Sequence, residues 1–193
     1  MEKRVLMIAG PNGAGKTTMA SSLIINSTMI YEFINADQIA YGLAPLHPES
    51  MALTASKLMI ERLKKLLNSS KSFAFETTAA GTNYLKYLKE AQKKGYETNL
   101  VFLWLPSPEQ AIERVASRVK QGGHNIPVET IRRRYYSGLK NLLKYYAPLS
   151  DNVLIMDNSS DEGKTVIARK FGNNSLEIKN TQIWNQIKGS ANV

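Results

Sequence analysis

Runs of buried-strand character alternate with amphipathic helical stretches along most of this chain. Val5 to Ala9 is an unbroken apolar run, as expected of a strand covered on both faces. Thr17 to Ile25 follows, with Met19, Ala20, Leu23 and Ile24 as the apolar positions of a first helix. Ile30 to Ile34 reads as a short second strand. It ends at Asn35-Ala36-Asp37, where a turn or helix start is expected. Gly42, Pro45 and Pro48 break the next segment into a loop. From Pro48 to Leu67 the apolar positions Met51, Ala55, Leu58, Met59, Leu63 and Leu66 return at helical spacing. Ser72 to Phe75 predicts a third strand, and Asn83 to Lys94 a helix closed by Gly95. Thr98 to Leu105 is a strongly apolar fourth strand, stopped by Pro106. Helices are predicted over Pro108 to Lys120 and Val128 to Tyr146, on either side of a loop that contains Gly122-Gly123. Val153 to Met156 is the fifth strand. In the tail, Val166 to Lys170 and Leu176 to Lys179 flank Gly172-Asn173-Asn174, a hairpin signal, and a short helix is expected near Ile183 to Ile187.

Helices placed between buried strands predict an α/β fold. The expected architecture is a doubly wound, mainly parallel, five-stranded sheet with helices on both faces and a C-terminal β-hairpin. A length of 193 residues suits a single domain, with a core over 4–158 and the hairpin and short helix over 159–193.

Composition narrows the function. The chain has no cysteine, so a disulfide framework, a thiolate metal site and a thiol nucleophile are all excluded. No apolar run is long enough to span a membrane, and no leader pattern precedes the first strand. A cytoplasmic protein without a membrane partner is expected. The formal net charge is +9, which suits phosphorylated ligands, nucleic acid or anionic lipid. No basic tract interleaved with aromatics appears, so nucleic acid is not the expected partner.

The chemistry begins where the first strand ends. Gly10-Pro11-Asn12-Gly13-Ala14-Gly15-Lys16-Thr17-Thr18 contains G-x-x-x-x-G-K-[ST], the phosphate-binding P-loop. Gly10, Gly13 and Gly15 let the backbone curl so that several N–H groups converge on phosphate oxygens. Lys16 is placed to reach the β- and γ-phosphates of ATP, and the Thr17 hydroxyl to sit on Mg²⁺. The positive end of the following helix faces the same anion. The plain alternative is a glycine turn with Lys16 as a solvated charge.

Ligands in such sheets bind beyond the carboxyl ends of the strands. Asp37 is expected there, either as the base for an attacking substrate hydroxyl or as the N-cap of a short helix. Glu76, with Thr77 and Thr78 beside it, is expected either to hold Mg²⁺ through water or bind substrate, or to be an exposed charge at a strand end. Asp157 and Asn158 end the fifth strand. Arg114 and Arg118 share a helix face just before the glycine loop, and Arg132, Arg133 and Arg134 follow it. Arginines on both sides of such a loop can neutralise a transferring phosphoryl group. Consecutive helical residues point about 100° apart, so at most two of the three face inward. His47 and His124 show no acid–base network. The chain has no Leu-Ser-Gly-Gly-Gln run and no Asn-Lys-x-Asp run, which argues against ABC-type ATPases and GTPases.

Several stretches together resemble the zeta-toxin-like P-loop kinases. They are the P-loop, Phe33-Ile34-Asn35-Ala36-Asp37, Phe73-Ala74-Phe75-Glu76-Thr77-Thr78, Val101 to Pro108, Arg114 to Pro127, and Ile131-Arg132-Arg133-Arg134-Tyr135. The resemblance spans about residues 4–158. It implies a kinase that uses ATP and Mg²⁺, with a small-molecule hydroxyl as acceptor. In the better-known toxins that acceptor is UDP-N-acetylglucosamine. By position, Lys16 and Thr17 would bind ATP and Mg²⁺, Asp37 would be the base, and Glu76 would contact substrate or metal. Arg118 and one of Arg133 or Arg134 would face the γ-phosphate. An antitoxin partner is also implied. Gln38 to Pro48 lacks the arginine-rich pattern of the toxins' substrate region. Two rival readings remain: a polynucleotide 5′-hydroxyl kinase, and a nucleotide-binding regulatory protein with little turnover.

Overall fold

The computed structural model describes residues 3–26, 32–123, 125–160 and 163–192. The sheet has seven strands in the order β2-β3-β1-β4-β5-β6-β7. They are β1 (Lys3–Ala9), β2 (Glu32–Ile34), β3 (Phe73–Thr77), β4 (Tyr96–Trp104), β5 (Asn152–Asp157), β6 (Thr165–Lys170) and β7 (Glu177–Ile178). β1 to β5 are parallel, and β6 and β7 are antiparallel additions at one edge. The predicted five-stranded parallel unit is present, and the predicted hairpin joins its edge instead of standing apart. The predicted start of the second strand at Ile30, and the loop residue His124, lie outside the described residues.

The apolar runs explain the layering. Met7, Ile8 and Ala9 of β1 are fully buried because β3 and β4 flank them and helices cover the sheet. Phe73, Phe75, Phe102 and Leu103 continue this core across the neighbouring strands. Gly10 ends β1 at φ 140°, and a Cβ there would lie 2.3 Å from the Leu103 carbonyl oxygen. β1 and β4 therefore approach so closely at the mouth of the P-loop that only glycine fits.

The helices are α1 (Lys16–Asn26), α2 (Ala36–Leu43), α3 (Ala52–Ser69), α4 (Leu85–Lys93), α5 (Pro108–Lys120), α6 (Val128–Asn141), α7 (Ala147–Leu149) and α8 (Thr181–Ala191). Three differ from the sequence expectation. Where a loop was expected after Asp37, α2 forms two helical turns that pack on α3. Asn35 starts α2 by accepting from the Asp37 and Gln38 backbone N–H groups at 2.8 and 3.3 Å. A 3₁₀ turn over Pro48–Met51 precedes α3. The long helix predicted over Val128 to Tyr146 widens into a π-helical segment at Leu142–Tyr146 before α7.

The Gly122-Gly123 pair is a helix stop. Gly122 takes φ 87°, its N–H bonds the Val119 carbonyl at 3.0 Å, and the Gly123 N–H bonds the Arg118 carbonyl at 2.9 Å. This is a Schellman closure of α5, which needs a residue that accepts the left-handed conformation.

Candidate active site

The carboxyl ends of β1, β2 and β3 converge on one cleft of about 180 Å³. Asn12, Lys16, Asn35, Asp37, Glu76, Thr77, Thr78 and Arg134 all line it. The P-loop, the start of α2, the end of β3 and the middle of α6 are thus brought together from distant parts of the chain.

Lys16 is buried, and its Nζ donates to the Pro11 carbonyl at 2.8 Å. It also lies 3.8 Å from Glu76 Oε1. Burial pushes the ammonium below its ordinary pKa, while Glu76 and Asp37 pull the other way. The fields of Arg118 and Arg134 reinforce the lowering, so both cations act on the same spot. A positive group held inside an anion-binding loop is suited to a polyphosphate.

Glu76 is the hub of the other wall. Its Oε2 accepts from the Thr17 hydroxyl at 2.8 Å and from Asn35 Nδ2 at 2.9 Å. Asn35 therefore does two jobs, capping α2 through Oδ1 and orienting Glu76 through Nδ2. Its contact with Glu76 is not legible in the local sequence. Its signal was the N-cap position two residues before Asp37.

Asp37 is not the cap of α2, because Asn35 is. It sits in the first helical turn with an exposed side chain at the rim of the cleft. Both Thr77 and Thr78 line the cleft, and Thr77 Oγ1 also accepts from the Ala79 N–H at 3.1 Å. Thr18 is exposed in the first turn of α1.

The arginines divide. Arg134 lines the cleft, and burial lowers its pKa against the pull of Asp37. Arg132 turns outward to an ion pair with Glu109. Arg118 is exposed on α5 and does not line the cleft, although its charge is felt at Lys16. Arg114 does not join Arg118 over the loop. Its guanidinium donates to the Asn158 and Ser159 carbonyls at 2.7 and 3.0 Å. Asn158 Nδ2 in turn donates to the Ala14 carbonyl at 2.8 Å, and Asp157 accepts from the Ser159 N–H. Asn158, expected near the ligand, thus braces the P-loop, and Asp157 closes the local turn at Ser159.

Two features suit further ligands. The Asn12 Oδ1 is buried in the cleft wall with no hydrogen-bond partner. Leaving such an atom unpaired costs about 1–3 kcal/mol, so a bound donor is favoured there. Thr17 and Glu76 offer hard oxygen atoms of the kind Mg²⁺ takes, and no group of three or more His, Cys, Asp or Glu exists among the described residues that could hold a metal alone. That fits an ion bound through few protein oxygens, substrate phosphates and water.

Known proteins resemble this chain in sequence and in fold. The AAA domain family matches residues 5–136. An uncharacterised protein of Haemophilus influenzae is 27% identical over 135 residues, covering 70% of this chain and 94% of that protein. Among solved structures, AvrRxo1-ORF1:AvrRxo1-ORF2 with sulphate ions superposes with TM-score 0.76 at 15% identity, over 96% of this chain. This chain spans only 63% of that structure's chain. The PezAT chromosomal toxin–antitoxin system of Streptococcus pneumoniae gives TM-score 0.66 at 16% identity, over 87% of this chain and 72% of that one. Shikimate kinase from Acinetobacter baumannii, in complex with shikimate, gives 0.51 at 19% identity, over 83% and 86%. At these identities the likeness is one of fold. No helix among the described residues is long and apolar enough to cross a membrane. With the family match over residues 5–136, this chain belongs to the AAA domain family.

Proposed function

We propose that this chain is an ATP- and Mg²⁺-dependent phosphotransferase that moves the γ-phosphate to a hydroxyl of a small molecule. The observation that carries the reading is a single cleft with a buried lysine and an arginine on one side and an exposed carboxylate, Asp37, on its rim.

In this reading the P-loop N–H groups and Lys16 hold the β- and γ-phosphates. Thr17 and Glu76 would hold Mg²⁺, which would offset phosphate charge. The acceptor hydroxyl attacks the γ-phosphorus, an O–P bond forms, and the bond to the bridging oxygen breaks to release ADP. Asp37 takes the hydroxyl proton. Arg134 neutralises charge on the transferring group, and Arg118 approaches from α5. Arg114, through Asn158, keeps the P-loop backbone in place for this. We take the chain as one kinase unit, core 4–158, working in the cytoplasm. An antitoxin-like protein is proposed as a partner because the PezAT neighbour is a toxin–antitoxin system.

The test is transfer of labelled γ-phosphate. ATP labelled at that position is incubated with the protein, Mg²⁺ and a panel that includes UDP-N-acetylglucosamine, nucleosides, small hydroxy acids and a 5′-hydroxyl oligonucleotide. Label on a small hydroxyl compound is expected. Label on the oligonucleotide alone would replace this reading with polynucleotide kinase, which the +9 charge favours. ATP binding with no transfer to any member would leave a nucleotide-binding protein.

A further inference from the structure

A second groove, of about 330 Å³, adjoins the cleft. Ser56, Thr77, Thr78, Tyr84 and Arg134 line both, so the two are neighbours across these side chains. Among the described residues, the only charged side chains lining the second groove are Arg133 and Arg134. The acids Asp37 and Glu76 line the inner cleft and not this one. Arg133 is exposed, and among the described residues no ion pair engages it. The groove is therefore cationic at its outer end and offers neutral hydroxyl and amide groups elsewhere, from Ser56, Thr78, Asn83 and Tyr84.

Its wall is built in advance. Ala79 is fully buried at φ 57°, a conformation that side chains rarely adopt. It persists because Asn141 Nδ2 donates to both the Ala79 and Ala80 carbonyls at 2.9 Å, and the Tyr146 hydroxyl to the Gly81 carbonyl at 2.5 Å. α6 also lies against the loop at Gly138, where a Cβ would come within 2.7 Å of the Thr78 carbonyl oxygen. A strained loop pinned at these points from the last turns of α6 and the segment after it is a fixed surface, and strain of this kind gathers at ligand sites.

We propose that this groove is the acceptor subsite, and that it selects a hydroxyl compound bearing a phosphate or carboxylate that pairs with Arg133. The hydroxyl end then points past Arg134 into the cleft, toward Asp37. An unpaired guanidinium in a groove without acids is complementary to an oxyanion, and its planar fork matches either group. The orientation toward Asp37 rests on the kinase reading, whereas selection of an anion does not.

The test uses matched pairs: ribose 5-phosphate against ribose, glycerol 3-phosphate against glycerol, and shikimate against a neutral cyclic polyol. Each is titrated into the protein saturated with a non-hydrolysable ATP analogue, and the same set is offered with labelled ATP. At least one anionic member is expected to bind tenfold or more tighter than its neutral twin. The phosphate and carboxylate arms show which oxyanion is read. Arg133→Gln is expected to abolish that preference while leaving analogue affinity and thermal stability unchanged, because Arg133 is exposed and no ion pair among the described residues engages it. Equal binding within every pair, a preference that survives Arg133→Gln, or no binding of either class would overturn the subsite. Anion-selective binding lost in Arg133→Gln, with no label transferred, would uphold the subsite and remove the kinase reading. Transfer to neutral members as readily as to charged ones would do the reverse.

Discussion

Replacing Asn35 by aspartate tests the hub of the site in a way that no simple truncation can. Asn35 caps α2 through its Oδ1 and orients Glu76 through its Nδ2. Asparagine and aspartate cap helices about equally well, so Asn35→Asp leaves the first job intact. It ruins the second. A donor 2.9 Å from Glu76 Oε2 becomes a second carboxylate oxygen, in a place where both side chains are at least nine-tenths buried. Two unit charges at that distance repel by about 6 kcal/mol at an effective dielectric constant of about 20. The pair escapes by holding a proton, which the unfolded chain would release above about pH 4. Folded protein then binds more protons than unfolded protein, so stability falls as pH rises. At pH 8 a loss of about 3–5 kcal/mol is expected, and at pH 4.5 about 1 kcal/mol. For a chain of this size that is a drop in Tm of roughly 10–15 °C at the higher pH, mostly recovered at the lower. Asn35→Ala behaves differently. It loses a cap worth about 1 kcal/mol and a hydrogen bond to a carboxylate worth about 1.5–3 kcal/mol, with a much flatter pH response. The assay is thermal unfolding of wild type and both variants from pH 4.5 to 8.5 in EDTA, because a divalent cation would bridge two carboxylates. If Asn35→Asp tracked wild type across that range, Asn35 would not face Glu76 and the wall drawn here would be wrong.

Two further outcomes follow from the P-loop. Gly10→Ala places a Cβ against the Leu103 carbonyl at an unfavourable φ, so a loss of about 3 kcal/mol or more is expected, seen as a Tm lower by roughly 6–12 °C; an unchanged Tm would refute the close approach of β1 and β4. Lys16→Ala should keep the fold by circular dichroism while ATP binding weakens at least tenfold by titration calorimetry, because it removes the buried cation of the anion site.

The sequence showed some parts of this plainly and hid others for physical reasons. The P-loop was legible because it is local: a buried strand, spaced glycines and a helix start lie in one stretch. The hairpin was legible through its turn residues. Its union with the β5 edge was not, because strand order depends on which distant segments pair. A helix start at Asn35 to Asp37 was legible, but the extent of α2 was not, because Gly42 and Pro45 read as breakers. Yet Gly42 fits inside the last turn and Pro45 lies beyond it. Asn35 and Arg114 were misjudged for a shared reason. Their decisive partners, Glu76 and the Asn158 and Ser159 carbonyls, stand some forty residues away in sequence, and nothing in the local pattern points to them. The run Arg132-Arg133-Arg134 was correctly read as dividing, since helical geometry alone sends the three side chains apart.

The central claim is that the cleft transfers phosphate and that Asp37 is the base. The direct measurement sets Asp37→Asn beside wild type for thermal stability, ATP affinity and rate of label transfer from ATP to the acceptor found in the panel. Asn35 already caps α2, so stability should move by no more than the loss of one charge near a helix start, about 0.3–1 kcal/mol. ATP affinity should change by a factor of a few, and transfer should fall by roughly 10²–10⁴-fold. Full transfer by Asp37→Asn, with ATP affinity and stability intact, would contradict the account.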